Sequence, residues 1–147
     1  MSGIICALRG GPDSQVTIDR AIALSKQTDL PLYFLYVVNL DFLTRTSSSS
    51  VQIVSAEMEQ MGEFILLSAE ASAVGQGISA QRVIRHGNVL HEIAALCHSL
   101  NADYLVLGRP QVKQPENIFT GNLLRDFIQR IEAQTGSKVI LPDEDAR

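Results

Sequence analysis

The sequence predicts an α/β domain built on a doubly wound parallel sheet with helices on both faces. Three observations carry that prediction. Short apolar runs occur without polar alternation, as strands covered on both sides require. Longer stretches with apolar residues at helical spacing lie between them. Glycine, proline and asparagine clusters punctuate the junctions, giving the order β-α-β-α-β-α-β-α-β. The 147 residues suit a single domain over 1–147 with one hydrophobic core.

Ile4-Ile5-Cys6-Ala7-Leu8 is the first strand, ended by the turn signal Arg9-Gly10-Gly11-Pro12-Asp13-Ser14. Asp13 or Ser14 caps the next helix, in which Ile18, Ala21, Ile22 and Ser25 share a face. Leu32 to Val38, rich in aromatic and β-branched residues, is the strongest strand signal. The polar tract from Thr44 through Ser47–Ser50 reads as a surface loop, with a lid over a strand-end site as its functional alternative. The second helix places Val54, Met58, Met61, Ile65 and Ser68 on a core-facing stripe and ends at Gly75 and Gly77. Ile78 to Arg85 is a third strand, polar enough to lie near an edge. Asn88 is a candidate cap for a helix whose Val89, Ile93, Leu96, Cys97 and Leu100 form a regular stripe. Tyr104 to Leu107 is a fourth, wholly apolar strand, ended by Gly108-Arg109-Pro110. A long polar loop leads to a last helix with Leu124, Phe127, Ile128 and Ile131 on one face, ended by Gly136. Val139-Ile140-Leu141 closes the sheet before Pro142.

Composition narrows the function. Hydrophobic residues make up 46% and charged residues 19%, a globular balance. The net charge is −4, and no Lys/Arg-rich run supplies the footprint of a nucleic-acid binder. With no Trp, five Phe and three Tyr, a base-stacking platform is not expected either. The two cysteines, Cys6 and Cys97, sit in apolar runs and read as buried thiols of a reducing compartment. The N-terminus lacks the basic start and long apolar core of a signal peptide, and no apolar run approaches the roughly 20 residues that span a bilayer. A soluble, cytoplasmic protein is expected, without nucleic-acid or membrane partners.

In an open α/β sheet, ligands bind beyond the carboxyl ends of the strands, where the strand order reverses. The loops that follow the first and fourth strands are therefore the ones to examine. Glycines there allow close backbone approach, a helix start offers free N–H groups to an anion, and Arg9 and Arg109 add positive charge. The alternative is that Gly10 and Gly11 only make a turn and that the arginines are solvated or paired. The dinucleotide fingerprint, the G-x-x-x-x-G-K-[ST] loop and the G-x-S-x-G elbow are all missing. His91 and His98 are seven residues apart on one helix, roughly 10 Å, too far for one metal. His86, at a strand end, could reach the crevice. No catalytic set and no metal site is expected.

Four segments resemble the universal stress protein family, in order and over about Ile4 to Leu141. Ile5-Cys6-Ala7-Leu8-Arg9-Gly10-Gly11 looks like that family's apolar strand followed by Asp-Gly-Ser. Val83 to Ile93 looks like V-x-x-G-D-P-x-x-x-I. Asn101-Ala102-Asp103-Tyr104-Leu105-Val106-Leu107-Gly108 is similar to G-A-D-L-I-V-M-G, and Ser137 to Pro142 to the closing strand. The resemblance implies a five-stranded sheet of order 3-2-1-4-5, of the adenine nucleotide α-hydrolase-like kind. It also implies a homodimer through the last strand, Val139–Leu141, a short apolar edge that suits pairing on physical grounds too.

ATP-binding members resemble G-x-x-G-x9-G-[ST] after the fourth strand. Here Gly108 and Gly121 stand at that separation, but Gln111 replaces the middle glycine and Asn122 the Ser/Thr, so the motif is degenerate. Arg9 stands where the family has an acidic residue for the nucleoside. Gln111 brings a side chain to where backbone should meet phosphate; Asn122 can still donate through its amide; Arg9 loses an acceptor but attracts anions. The resemblance nominates Ala7, Arg9 and Val37 for the nucleoside, and Leu107, Gly108, Gln111, Gly121, Asn122 and Leu123 for the phosphates. The expected cofactor is ATP or another adenine nucleotide, or none. The expected function is a stress-response regulatory domain with a nucleotide or anion in the β1/β4 crevice. The alternatives are a homodimeric interaction module without nucleotide, and a nucleotide hydrolase or transferase.

Overall fold

Nine elements alternate along the chain: β1 (Ile4–Leu8), α1 (Ser14–Thr28), β2 (Leu32–Val38), α2 (Ser48–Gly75), β3 (Ala80–His86), α3 (Val89–Leu100), β4 (Tyr104–Leu107), α4 (Asn122–Thr135) and β5 (Lys138–Ile140). They come from a computed structural model that describes residues 2–9, 14–39, 48–108 and 122–141, with backbone alone for 48–51 and 122–124. The strands form one sheet of order β3-β2-β1-β4-β5, with every neighbouring pair parallel. This is the predicted fold, with the polar strand β3 at an edge as its composition implied.

The uninterrupted apolar strands follow from period two. Ile4, Cys6 and Leu8 of β1, with Leu32, Phe34, Tyr36 and Val38 of β2, join α1 and α2 in one core layer. Ile5 of β1 and Tyr33 and Leu35 of β2 join α3 and α4 in the other. Phe34, Ile4, Ile5 and Leu35 have no exposed surface. On α1, Ile18, Ala21, Ile22 and Ser25 are all buried as expected; Ser25 satisfies its hydroxyl by donating to the Leu30 carbonyl at 2.8 Å.

Several boundaries and one helix face differ from the sequence reading. Ser48, Ser49 and Ser50 are not loop but the first turn of α2, because serine favours a helix start; Ser47 lies outside the described residues. β3 begins at Ala80 rather than Ile78, since the Ile78 N–H is held by the Ala73 carbonyl at 2.9 Å in the turn closing α2. β5 is Lys138–Ile140 rather than Val139–Leu141: the Lys138 N–H donates to the Asp103 carbonyl at 2.8 Å, which starts the ladder one residue earlier.

The largest difference is the buried face of α2. Gly62, Leu66, Ala69 and Ala73 are buried, while Met61 and Ser68 of the expected stripe are exposed. Leu66 and the small residues Gly62, Ala69 and Ala73 face the sheet, Met58 and Ile65 of the expected stripe pack at the border of this core, and the ring of Tyr36 lies directly on Gly62.

That contact yields a prediction. Gly→Ala in a helix normally gains about 1 kcal/mol. At Gly62 the added methyl would stand 2.9 Å from Tyr36 Cε2 and 3.1 Å from Cγ. Overpacking of this kind costs about 1–3 kcal/mol and outweighs the propensity gain. Gly62→Ala is expected to lower the urea midpoint with an unchanged slope; an equal or higher midpoint would contradict the packing argument.

Candidate functional site

The site begins with a register. Ala7 of β1 is aligned with Leu35 of β2 on one side and Leu107 of β4 on the other. All three point into the α3/α4 layer, where Leu35 and Leu107 are buried and Ala7 is half-buried. A methyl between two leucines leaves a gap near the carboxyl end of the sheet. The gap is a cavity of about 100 Å³, lined by Ala7, Leu8, Arg9, Leu35, Tyr36, Val37, Val89, Ile93, Leu107 and Gly108.

Helix α3 supplies Val89 and Ile93. Its start is fixed by Asn88, in extended conformation at φ −72° and ψ 128°, whose side-chain oxygen accepts from the His91 N–H at 3.0 Å. That cap sets the first turn against the sheet, and Ile93, one turn on, is buried. At the mouth, Gly108 approaches α1 so closely that a Cβ would stand 3.0 Å from Thr17 Oγ1. Arg9 is exposed, but partial desolvation pulls its guanidinium below the usual arginine value. It remains a cation at any working pH. The site is therefore an apolar recess with a positive charge at its edge, suited to a flat apolar group carrying an anion.

Five of the nine residues nominated from sequence line this cavity: Ala7, Arg9, Val37, Leu107 and Gly108. Asn122 and Leu123 are the first two residues of α4. Gln111 and Gly121 lie outside the described residues, as do Gly10, Gly11 and Arg109. Leu8, Leu35, Tyr36, Val89 and Ile93 were not nominated. Leu35 and Tyr36 immediately precede Val37, and Val89 and Ile93 were read only as core stripe; the Asn88 cap was the signal that could have placed them.

The remaining chemistry-bearing groups lie elsewhere. His86 does not face the cavity: its Nε2 meets Glu59 Oε1 of α2 at 2.5 Å. Cys6 and Cys97 are free and buried. Burial pushes the Cys6 thiol far up. It pushes Cys97 up to about 11, against the lowering effect of a hydrogen bond with Ser137. Among the described residues no group of three or more His, Cys, Asp and Glu is placed to hold a metal ion, and no helix is long and apolar enough to cross a membrane.

The element order and strand order define a doubly wound parallel α/β sheet with a recess at its strand ends, and sequence similarity narrows this to a family. The sequence pattern of the universal stress protein family matches residues 1–133. The chain belongs to that family. No curated protein sequence matches it. Among solved structures, it is similar to the universal stress protein UspA from Lactobacillus plantarum, at 14% identity over 95% of this chain and 96% of that one, with a TM-score of 0.75. It is similar to the Archaeoglobus fulgidus universal stress protein in complex with dAMP, at 16% identity over 96% and 97% of the two chains and a TM-score of 0.64. A universal stress protein in complex with cAMP matches at 16% identity over 95% of each chain, with a TM-score of 0.68.

The thiol environments give a direct test. A thiolate is the reactive form, and both thiols are shielded and held protonated at pH 8. The folded protein is expected to release no colour from Ellman's reagent over an hour, and to titrate at both cysteines once unfolded in guanidinium chloride. A rapid reaction in the folded state would contradict the burial of Cys6 and Cys97.

Proposed function

We propose that this universal stress protein is a regulatory stress-response domain that holds an adenine nucleotide, or a related anion with a flat apolar group, in the crevice between β1 and β4. The observation that carries this reading is the recess at the strand ends, centred on Ala7 and bordered by Arg9. Ala7, Val37 and Leu107 contact the nucleoside, and Arg9 draws the anion. Backbone N–H groups of Gly108, Gln111, Gly121, Asn122 and Leu123 cradle phosphate. Similarity to proteins solved with dAMP and cAMP supports an adenine monophosphate as the ligand class. The chain acts by binding rather than by turnover, in the cytoplasm, as a homodimer joined through the β5 edge.

One observation favours a second reading. The recess, at about 100 Å³, is smaller than the roughly 300–1,000 Å³ of ordinary ligand pockets. Binding is therefore weak, or the domain is a homodimeric interaction module that takes no nucleotide. The size accommodates a base-sized group with the remainder outside.

Isothermal titration with AMP, cAMP, ADP and ATP separates the two. Saturable heat is expected with at least one adenine nucleotide. Ala7→Leu fills the recess and is expected to weaken binding at least tenfold while leaving the fold intact by circular dichroism. Arg9→Asp reverses the charge at the mouth and is expected to weaken binding several-fold at low salt, with less effect at high salt. No heat with any of the four nucleotides would remove the nucleotide reading and leave the interaction module.

A further inference from the structure

Helix α2 buries Gly62, Leu66, Ala69 and Ala73 against β2 and β3 and leaves five large apolar residues facing outward. Ile53, Met61, Phe64, Leu67 and Val74 are 61, 56, 73, 46 and 63% exposed. At 100° per residue all five fall within an arc of roughly 140°, along a helix about 42 Å long. With Val16 of α1 they are the exposed large hydrophobic residues among the described residues. Exposed apolar residues gathered on one element mark an interaction surface; scattered ones do not.

The charges of α2 are arranged to keep this stripe neutral. The helix carries Glu57, Glu59, Glu63 and Glu70 and no Lys or Arg. Glu63 and Glu70 reach Arg82 of β3 at 3.8 and 3.3 Å, and Glu59 reaches His86 at 2.5 Å. Those three carboxylates are held on the β3 side, and Glu57 alone falls within the stripe. A basic partner would find little to pair with; a partner bearing an equivalent uncharged stripe fits.

The spacing identifies that partner. Met61 and Leu67 lie three residues to either side of Phe64, and Ile53 and Val74 eleven and ten residues away. A two-fold axis through Phe64, perpendicular to α2, sets two antiparallel copies with Phe64 against its own equivalent. Met61 then comes level with Leu67 of the second copy, and Ile53 comes within one residue of Val74. Glu57 meets Ala71, and Gln60 meets Ser68, so no like charges oppose one another. This self-complementarity is what a symmetric dimer interface requires. The five residues expose on the order of 500 Å² per copy, taking the area of three whole large side chains. A pair would bury up to about 1,000 Å² of apolar surface, the area a specific interface needs to reach.

We infer that α2 is a self-association surface, pairing antiparallel with α2 of a second copy about a two-fold axis at Phe64. The inference is independent of the nucleotide reading. It is also separate from the β5 edge, because α2 packs on β2 and β3 at the far side of the sheet. Both surfaces occupied at once would give an assembly larger than a dimer.

Sedimentation velocity of the full chain across the micromolar range tests this. Phe64→Glu places two carboxylates against each other at the axis and is expected to halve the sedimenting mass with an unchanged circular dichroism spectrum. Phe64→Cys is expected to form a disulfide-linked dimer rapidly under mild copper–phenanthroline oxidation, since only residue 64 meets itself across the axis. The exposed Asp19→Cys on α1 serves as the control and is expected to link slowly. A monomeric wild-type chain, a mass unchanged by Phe64→Glu, or Phe64→Cys linking no faster than Asp19→Cys would each overturn the inference.

Discussion

The parallel register that sets β1 between β2 and β4 is the constraint on which the rest depends. It gives each β1 side chain from Ile4 to Ala7 two lateral neighbours and sends alternate residues to opposite core layers. Cys6 falls between Phe34 and Val106 in one layer; Ala7 falls between Leu35 and Leu107 in the other. A slip of one residue would exchange these sets, because the side-chain period is two. The recess at the strand ends exists because the smallest of these side chains falls on the α3/α4 side at the carboxyl rim.

That register is fastened at the opposite end of the strands by a few polar contacts. The Gly3 N–H donates to Asp103 Oδ2 at 3.1 Å, and the Asp103 N–H donates back to the Gly3 carbonyl at 2.8 Å. The Asp103 carbonyl also accepts from the Lys138 N–H at 2.8 Å, and the Ser137 hydroxyl donates to the Ala102 carbonyl at 2.5 Å. One short segment thus aligns β1, β4 and β5. Asn101, which opens it, is left-handed at φ 50° and ψ 49°, and its N–H caps α3 through the Cys97 and His98 carbonyls. Asparagine tolerates this conformation better than other side chains, which explains how it stands where the family pattern has glycine.

The two proposed surfaces are built from opposite uses of small residues. At Ala7 a small side chain leaves space in the sheet, and the space becomes a recess. At Gly62, Ala69 and Ala73 small side chains let α2 settle closely on the sheet beside Leu66, and Ile53, Met61, Phe64, Leu67 and Val74 of the same helix are left facing outward. Tyr36 takes part in both, since it borders the recess while its ring rests on Gly62, one residue from Met61 of the exposed stripe. The charged side of α2 is spent on β3, where Arg82 and His86 give an otherwise polar edge strand its partners.

Local pattern carried much of this in the sequence. The bounds of β1, β2 and β4, the Asn88 cap, the core face of α1 and the edge position of β3 all rest on short-range signals: apolar runs, turn residues and helical period. Half of the recess was legible for the same reason, since Ala7, Arg9, Val37, Leu107 and Gly108 stand at strand ends that the pattern locates. The face that α2 buries was only partly legible: Met58 and Ile65 pack against the core as the stripe implied, but Met61 carries a hydrophobic signal and turns outward, while Gly62, which is buried, carries none. Periodicity finds an apolar stripe but cannot tell whether it meets the sheet or turns away from it. That choice was made by the ring of Tyr36, 26 positions before Gly62 in the chain, and likewise the meeting of α3 with the recess depends on how the helix lies across β1 and β2. Sequence thus determined which segments become strands and helices, by local propensity and period. Tertiary structure decided which faces touch, because contact depends on the fit of side chains that only the folded chain brings together.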